Sequence, residues 1–183
     1  MASVLFVCLG NICRSPAGEG VFQAMVERNA REGGVDAAAF RVDSCGTGGG
    51  NAGWYLPDGW AYHEGENSDA RMAKEAKKRG YTLTSRARSL TKKDVEEFDY
   101  IICMEAKNRD AVLEAAASWG GDECEQLAKQ KVTMMTSYCS SNFATATRVP
   151  DPWYEGGFDH VLDLLENACA GLYESITNQH PSS

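Results

Sequence analysis

Val4-Leu5-Phe6-Val7 is a continuous apolar run, and it breaks into Cys8-Leu9-Gly10-Asn11-Ile12-Cys13-Arg14 before Ser15-Pro16. A run without polar alternation fits a strand covered on both faces, which requires packed layers above and below it. Ser15 is a good helix N-cap, and Pro16 suits the first helical position because its missing N–H would be unpaired there. Ala17, Val21, Phe22, Met25 and Val26 then share one helical face. Strand, short loop and helix in this order open a strand–helix–strand unit.

The rest of the chain continues the alternation. Phe40 to Asp43 reads as a second strand ending at Ser44, Tyr100 to Met104 as a third and Val132 to Met135 as a fourth. Helices are expected from Asp69 to Arg79, stopped by Gly80, and from Ala106 to Trp119. Thr91 and Asp94 have the spacing of a capping box. Phe158, Val161, Leu162, Leu165, Cys169, Leu172 and Ile176 mark a long amphipathic last helix. Between Gly46 and Gly65, glycines interleave with Trp54, Tyr55, Trp60 and Tyr62, which predicts a long mobile loop with aromatic tips. No repeat and no linker divides the 183 residues, so one domain over 1–183 is expected. The pattern predicts an α/β, doubly wound, three-layer sandwich with a central four-stranded parallel sheet. In such sheets ligands sit beyond the carboxyl ends of the strands, where Cys8, Ser44 and Glu105 all fall.

Charge narrows the partners. The 18 Lys and Arg against 26 Asp and Glu leave a net charge of −8 with no basic stripe, which argues against nucleic-acid or anionic-membrane binding. Met1 to Cys13 is uncharged but too short to span a bilayer, and it lacks the basic start of a secretory signal. Seven scattered cysteines without a CxxC pair fit neither a disulfide framework nor a zinc module, so a reducing compartment is expected and no metal is called for.

Any anion must therefore be held locally, and Cys8 to Ser15 offers the means. A helix N-terminus presents unpaired N–H groups and a partial positive charge, and loop amides can curl into an anion-binding nest. Arg14 adds a planar guanidinium matched to two phosphate oxygens. Helix N-termini and nearby cations are also the settings that favour a cysteine thiolate, the nucleophilic form. Cys8 would then be aimed at the central atom of a bound oxyanion. The segment is not a Walker loop, since no Gly-Lys-Ser/Thr occurs, and Gly46-Thr47-Gly48 misses a dinucleotide fingerprint because Asn51 stands where its last glycine should be.

Val4 to Pro16 resembles the active-site segment of the low-molecular-weight protein tyrosine phosphatases. Val149-Pro150-Asp151-Pro152-Trp153-Tyr154 is similar to that family's Asp-Pro-aromatic-aromatic loop. The likeness takes in Val42-Asp43-Ser44, Phe98 to Met104 and Ser137-Tyr138, a core of about 4–176, and Tyr62-His63-Glu64-Gly65 with Asp69 to Met72 resembles plant and bacterial members. The resemblance implies a Rossmann-like, phosphotyrosine phosphatase I-like fold. It implies hydrolysis of phosphotyrosine and small aryl phosphates through a phosphocysteine intermediate, without cofactor or metal. Inorganic phosphate would be the product and phosphotyrosine-containing proteins the partners. A cytoplasmic monomer or weak dimer is the expected form, or a plastid protein had a transit peptide been removed.

By this resemblance Cys8 is the nucleophile, Arg14 the anion clamp and Asp151 the acid that protonates the leaving phenolate and then the base for water. Leu9, Gly10, Asn11, Ile12 and Cys13 would surround the phosphate, with Asn11, Ser15 and Ser44 holding the cradle and the thiolate. Trp153 and Tyr154 would wall the slot for the aryl ring, although many relatives have tyrosine where Trp153 stands. Ile12 favours an aryl phosphate, since arginine-phosphatase relatives carry threonine there. Cys13 is open to two roles: a reversible disulfide partner for Cys8 or a packing residue. Two departures stand out. Ser85 occupies a place where several animal members have histidine, and the insertion within Gly46 to Trp60 has no clear counterpart, leaving Trp54 and Trp60 either beside the substrate or packed on the domain.

Rival readings fit less well. An arsenate reductase on this scaffold needs two further cysteines about seven residues apart, but Asp110 stands seven beyond Cys103 and the next cysteine is Cys124. A phosphate- or phosphotyrosine-binding module has no use for both Cys8 and Asp151. A cysteine protease would need His63, His160 or His180 near Cys8 and leaves Arg14 unexplained. Cys103, Cys169 and Met134-Met135 read as core, and Lys74, Lys77, Lys78 and Arg79 as a solvated helix face.

Overall fold

In the computed structural model, which describes residues 1–179, the chain alternates strands and helices around one sheet. β1 (Ala2–Cys8), β2 (Phe40–Gly46), β3 (Tyr100–Cys103) and β4 (Val132–Met134) are all parallel and lie in the order β2-β1-β3-β4. β1 is buried along its whole length, as its unbroken apolar run demands. Its side chains alternate between two layers: Val4 and Phe6 face α1 (Arg14–Arg31), α2 (Ala70–Lys78) and α6 (Phe158–Gln179). Leu5 and Val7 face α3 (Lys92–Glu97) and α4 (Ala106–Lys131). The sheet is thus sandwiched between two helical layers, as expected from the sequence.

Because β2 pairs on one side of β1 and β3 on the other, the winding direction reverses at β1. The crevice of a doubly wound sheet opens at that reversal, beyond the carboxyl ends. Cys8, the last residue of β1, stands there, beside the ends of β2 and β3. Gly46 permits the closeness: a Cβ on it would sit 2.9 Å from the Leu9 carbonyl and 3.2 Å from Asn11 Cβ.

Several local readings are corrected. Helix α1 begins at Arg14 with Cys13 as N-cap, so Ser15 is not the cap but a buried residue of the first turn. Pro16 tolerates this, since a third-position N–H has no intrahelical partner either. Strand β2 runs three residues beyond Asp43, to Gly46. Helix α4 does not stop at Trp119; it breaks at Gly120 and Gly121, the latter at φ 61°, and resumes to Lys131. Those two glycines hid the second half from periodicity. The Asp69 cap and the Thr91–Asp94 capping box are present.

The Gly-rich insertion is also tighter than a loop with aromatic tips. Trp54 is buried edge-on against Trp119 at 5.9 Å, Trp119 Nε1 donates to the Tyr55 carbonyl at 2.9 Å, and Tyr55 Oη donates to Glu114 at 2.9 Å. Trp54 is therefore core, packed on α4. Trp60 and Tyr62 do stay exposed, packed on each other. Among the described residues no helix is long and apolar enough to cross a membrane.

Candidate active site

The loop after β1 closes around the sulfur of Cys8. The Asn11 N–H donates to Cys8 Sγ at 3.3 Å, and Ser15 Oγ lies 3.0 Å from the same sulfur. Asn11 takes the left-handed conformation, φ 56°, which asparagine adopts more readily than most residues. Its buried amide ties the cradle together: Nδ2 donates to Ser15 Oγ at 2.8 Å and to Ser44 Oγ at 2.9 Å, and Oδ1 accepts the Arg88 N–H at 3.0 Å. Asn11, Ser15 and Ser44 thus meet as the resemblance implies, and Ser15, freed from capping, is the hydroxyl nearest the sulfur.

Ser44 Oγ donates in turn to Glu19 Oε2 at 2.5 Å. Burial pushes the Glu19 carboxyl above its ordinary value, while hydrogen bonds from Ser44 and Ser85 act the other way. Ser85, the departure noted in the sequence, lines a surface pocket together with Glu19. Cys13 packs with Ile12 and Ala87 in a small apolar cluster, and burial raises its thiol pKa. That environment suits the packing role.

Arg14 is 1% exposed although it is a cation, so its partners must be strong. Nη1 lies 3.0 Å from Glu105 Oε1 and donates to the Val149 carbonyl at 3.2 Å, while Nη2 lies 2.8 Å from Asp151 Oδ2. Burial alone would lower its pKa, but the charges of Cys8, Asp151 and Glu105 outweigh that and raise it. Asp151 caps the short helix α5 (Pro152–Glu155) by accepting the Trp153 N–H at 3.1 Å, with Pro152 at the first position as its fixed φ favours. The cap aims its second oxygen at Arg14.

Cys8, Leu9, Gly10, Ile12, Cys13, Arg14 and Asp151 line one pocket, with Trp153 and Tyr154 at its mouth. Both aromatics are exposed, and His63 touches Trp153 edge-on with ring centroids 5.6 Å apart. His63, part of the segment that resembles plant and bacterial members, lines this pocket with its Nδ1 2.8 Å from Glu66 Oε2. His180 lies outside the described residues. Glu105, Glu19 and Arg88 are the other supporting residues that motif reading left unassigned. The one available signal was Glu105, a carboxylate at a strand end level with Cys8. Among the described residues no cluster of three or more His, Cys, Asp or Glu is arranged to hold a metal. Cys103, the reductase candidate, is fully buried in β3 with the core under α4.

Arg88 links the cradle to the rest of the domain, donating from Nη1 and Nη2 to Asp94 at 2.8 and 3.0 Å and from Nη2 to Asp43 at 2.8 Å. Burial opposes ionisation of Asp94, but its bonds with Arg88 and Thr91 hold its carboxyl below the ordinary value. A carboxylate with a depressed folded pKa contributes stability above its unfolded value, about 3.9, and loses it as pH falls through the folded value. Asp94→Asn is expected to cost about 1–2 kcal/mol near neutral pH, since the pair is partly solvated. Its thermal midpoint should also fall less than that of the wild type on acidification below about pH 4. Melting curves across that range check this, and parallel acid slopes would contradict it.

A sulfur at the head of an arginine-terminated anion loop, faced by a carboxylate across the crevice, marks the class of cysteine-dependent phosphatases. The family described as low molecular weight phosphotyrosine protein phosphatase matches residues 3–182. A Synechocystis protein provisionally named a low molecular weight protein-tyrosine-phosphatase is 39% identical, covering 94% of this chain and 95% of its own. The Bacillus subtilis low molecular weight protein-tyrosine-phosphatase YfkJ is 33% identical over 98% of both chains. Among solved structures, a protein tyrosine phosphatase from Entamoeba histolytica superposes with a TM-score of 0.78 at 36% identity, covering 98% of this chain and 99% of that one. The chain belongs to the low molecular weight protein tyrosine phosphatase family, and it is a hydrolase acting on phosphotyrosine in phosphoproteins.

Proposed function

We propose that Cys8, Arg14 and Asp151 carry out this hydrolysis through a phosphocysteine intermediate. Cys8 Sγ attacks phosphorus as the thiolate, and an S–P bond forms as the P–O bond to the tyrosine ring breaks. Asp151 gives its proton to the departing phenolate. In the second step water attacks phosphorus, Asp151 takes the water's proton, and the S–P bond breaks to release inorganic phosphate. Arg14 and the loop amides hold the equatorial oxygens, whose charge is spread in the transition state. Asn11, Ser15 and Ser44 keep the sulfur at attacking distance.

The observation that carries this reading is the Arg14–Asp151 contact of 2.8 Å inside the pocket that Cys8 also lines. It supports the reading because Arg14, Asp151 and Cys8 then share one small volume. Leu9, Gly10, Ile12 and Cys13 complete the surround, and Trp153 and Tyr154 would flank the substrate ring. The seven free cysteines suit the cytoplasm, whose reducing conditions keep the Cys8 sulfur unoxidised.

The test is hydrolysis of p-nitrophenyl phosphate and a phosphotyrosine peptide in the presence of a chelator, combined with rapid acid quench. Turnover should persist, and peptide mapping of the quenched enzyme should find a phosphoryl group on Cys8. Turnover with no phosphoryl-enzyme on Cys8, or none at all in chelator, would overturn the covalent route.

A further inference from the structure

Glu19 has no part in the hydrolysis above, yet one hydroxyl separates it from the cradle. It lies on α1, and its Oε2 accepts the Ser44 hydroxyl at 2.5 Å, across to the end of β2. It also borders a surface pocket with Pro16, Gly20 and Leu83, so water reaches it. Burial still opposes its ionised form. Stability alone does not explain a carboxylate held there, and functional positions are where such a cost is found.

The hydrogens can be assigned from this end inward. An ionised carboxylate only accepts, so Ser44 must give it its single hydroxyl hydrogen. Ser44 Oγ is left as an acceptor, and Asn11 Nδ2, which only donates, fills it at 2.9 Å. The same Nδ2 gives its other hydrogen to Ser15 Oγ at 2.8 Å, while Oδ1 accepts the Arg88 N–H at 3.0 Å. That last bond forbids the flipped amide, in which two donors would face each other. Ser15 therefore directs its own hydrogen away from Asn11, to Cys8 Sγ at 3.0 Å or to the Cys45 carbonyl at 3.3 Å. Once the sulfur is a thiolate, it is both the nearer acceptor and the charged one.

We propose that Glu19 is a positioning residue for the reaction: by accepting the Ser44 hydrogen it fixes Asn11, and Asn11 in turn aims the Ser15 hydroxyl at the Cys8 sulfur. The inference rests on Cys8 being the nucleophile and adds what orders its hydrogen-bond donors. Without an acceptor at residue 19, Ser44 is free to turn its hydrogen toward Asn11 Nδ2, and the amide loses its hold. Arg14 and its partners Glu105 and Asp151 stand outside this row, so phosphate binding is spared.

The test compares Glu19→Leu, which has no acceptor, with Glu19→Gln, which keeps an oxygen but loses the charge. On p-nitrophenyl phosphate Glu19→Leu should lower kcat about tenfold with KM little changed, and Glu19→Gln should recover most of that loss. Carboxymethylation of Cys8 by iodoacetate, read by peptide mapping, should slow in the leucine variant and stay near the wild-type rate in the glutamine variant. In a Ser44→Ala background Glu19→Leu should add nothing further, because the connecting hydroxyl is gone. Loss of a nearby negative charge by itself predicts the opposite, faster carboxymethylation in both variants, and that result would overturn the proposal. So would full activity in Glu19→Leu, equal losses in the two variants, or a loss that stays additive with Ser44→Ala. A wild-type enzyme that keeps its activity after Cys8 is carboxymethylated would instead defeat the nucleophile reading, and this inference with it.

Discussion

Cys8→Ser is expected to lose turnover on every phosphate ester, by about 10⁴-fold or more, while still binding phosphate. The serine hydroxyl would inherit the position at the end of β1 and the contacts with the Asn11 N–H and Ser15 Oγ. It would not inherit the ionisation, because a hydroxyl is a far weaker acid than a thiol and stays protonated where a thiol yields a nucleophilic anion. Arg14 and its ties to Glu105 and Asp151 are untouched by the change, so the anion clamp survives. Steady-state assays on p-nitrophenyl phosphate and calorimetric titration with inorganic phosphate check the two halves separately. A variant that keeps a sizeable fraction of the rate would remove Cys8 from the nucleophile's role. One that loses rate and phosphate binding together would show the substitution had collapsed the cradle.

The second large effect concerns Asp151. Asp151→Asn can keep the α5 cap, since asparagine caps helices as well as aspartate does and its carbonyl can still accept from Arg14. What it loses is the transferable proton. On phosphotyrosine, whose phenolate is a poor leaving group, the rate should fall by roughly 10²–10⁴-fold, the usual worth of general acid catalysis. On aryl phosphates with strongly electron-withdrawing rings the leaving group needs less protonation, and the loss should shrink. A plot of rate against leaving-group pKa should therefore be steeper for the variant than for the wild type. Equal slopes would mean that Asp151 only positions Arg14 and moves no proton.

The reactive core of this site was legible in the sequence because it is local. Cys8 to Arg14 is a single strand-to-helix turn whose anion-binding chemistry shows in its own residues, whereas Asp151 was singled out only by the resemblance of Val149 to Tyr154 to a family loop. The failures were of another kind. Ser15 looked like a cap because Pro16 follows it, yet Cys8 and Asn11 claim its hydroxyl and the helix starts at Arg14. Trp54 looked like a loop tip because glycines surround it, yet Trp119 gives it a partner in the core. Helix α4 looked finished at Trp119 because Gly120 and Gly121 break its period.

By itself the sequence determined the α/β class and the order of strands and helices, and it singled out the candidates for nucleophile, clamp and acid. Class and order rest on hydrophobic periodicity, which acts over a few residues; the candidates rest on the anion-binding turn after the first strand and on the family resemblance. Only the tertiary structure decided that Glu105 and Val149 anchor Arg14, that Glu19 stands behind Ser44, and that Arg88 fastens Asn11. It alone turned the insertion into one wall of a cleft continuous with the phosphate pocket. The physical reason is common to all of these. A buried charge or amide must find partners once water is excluded, and which residues can serve is set by how the layers close over the sheet.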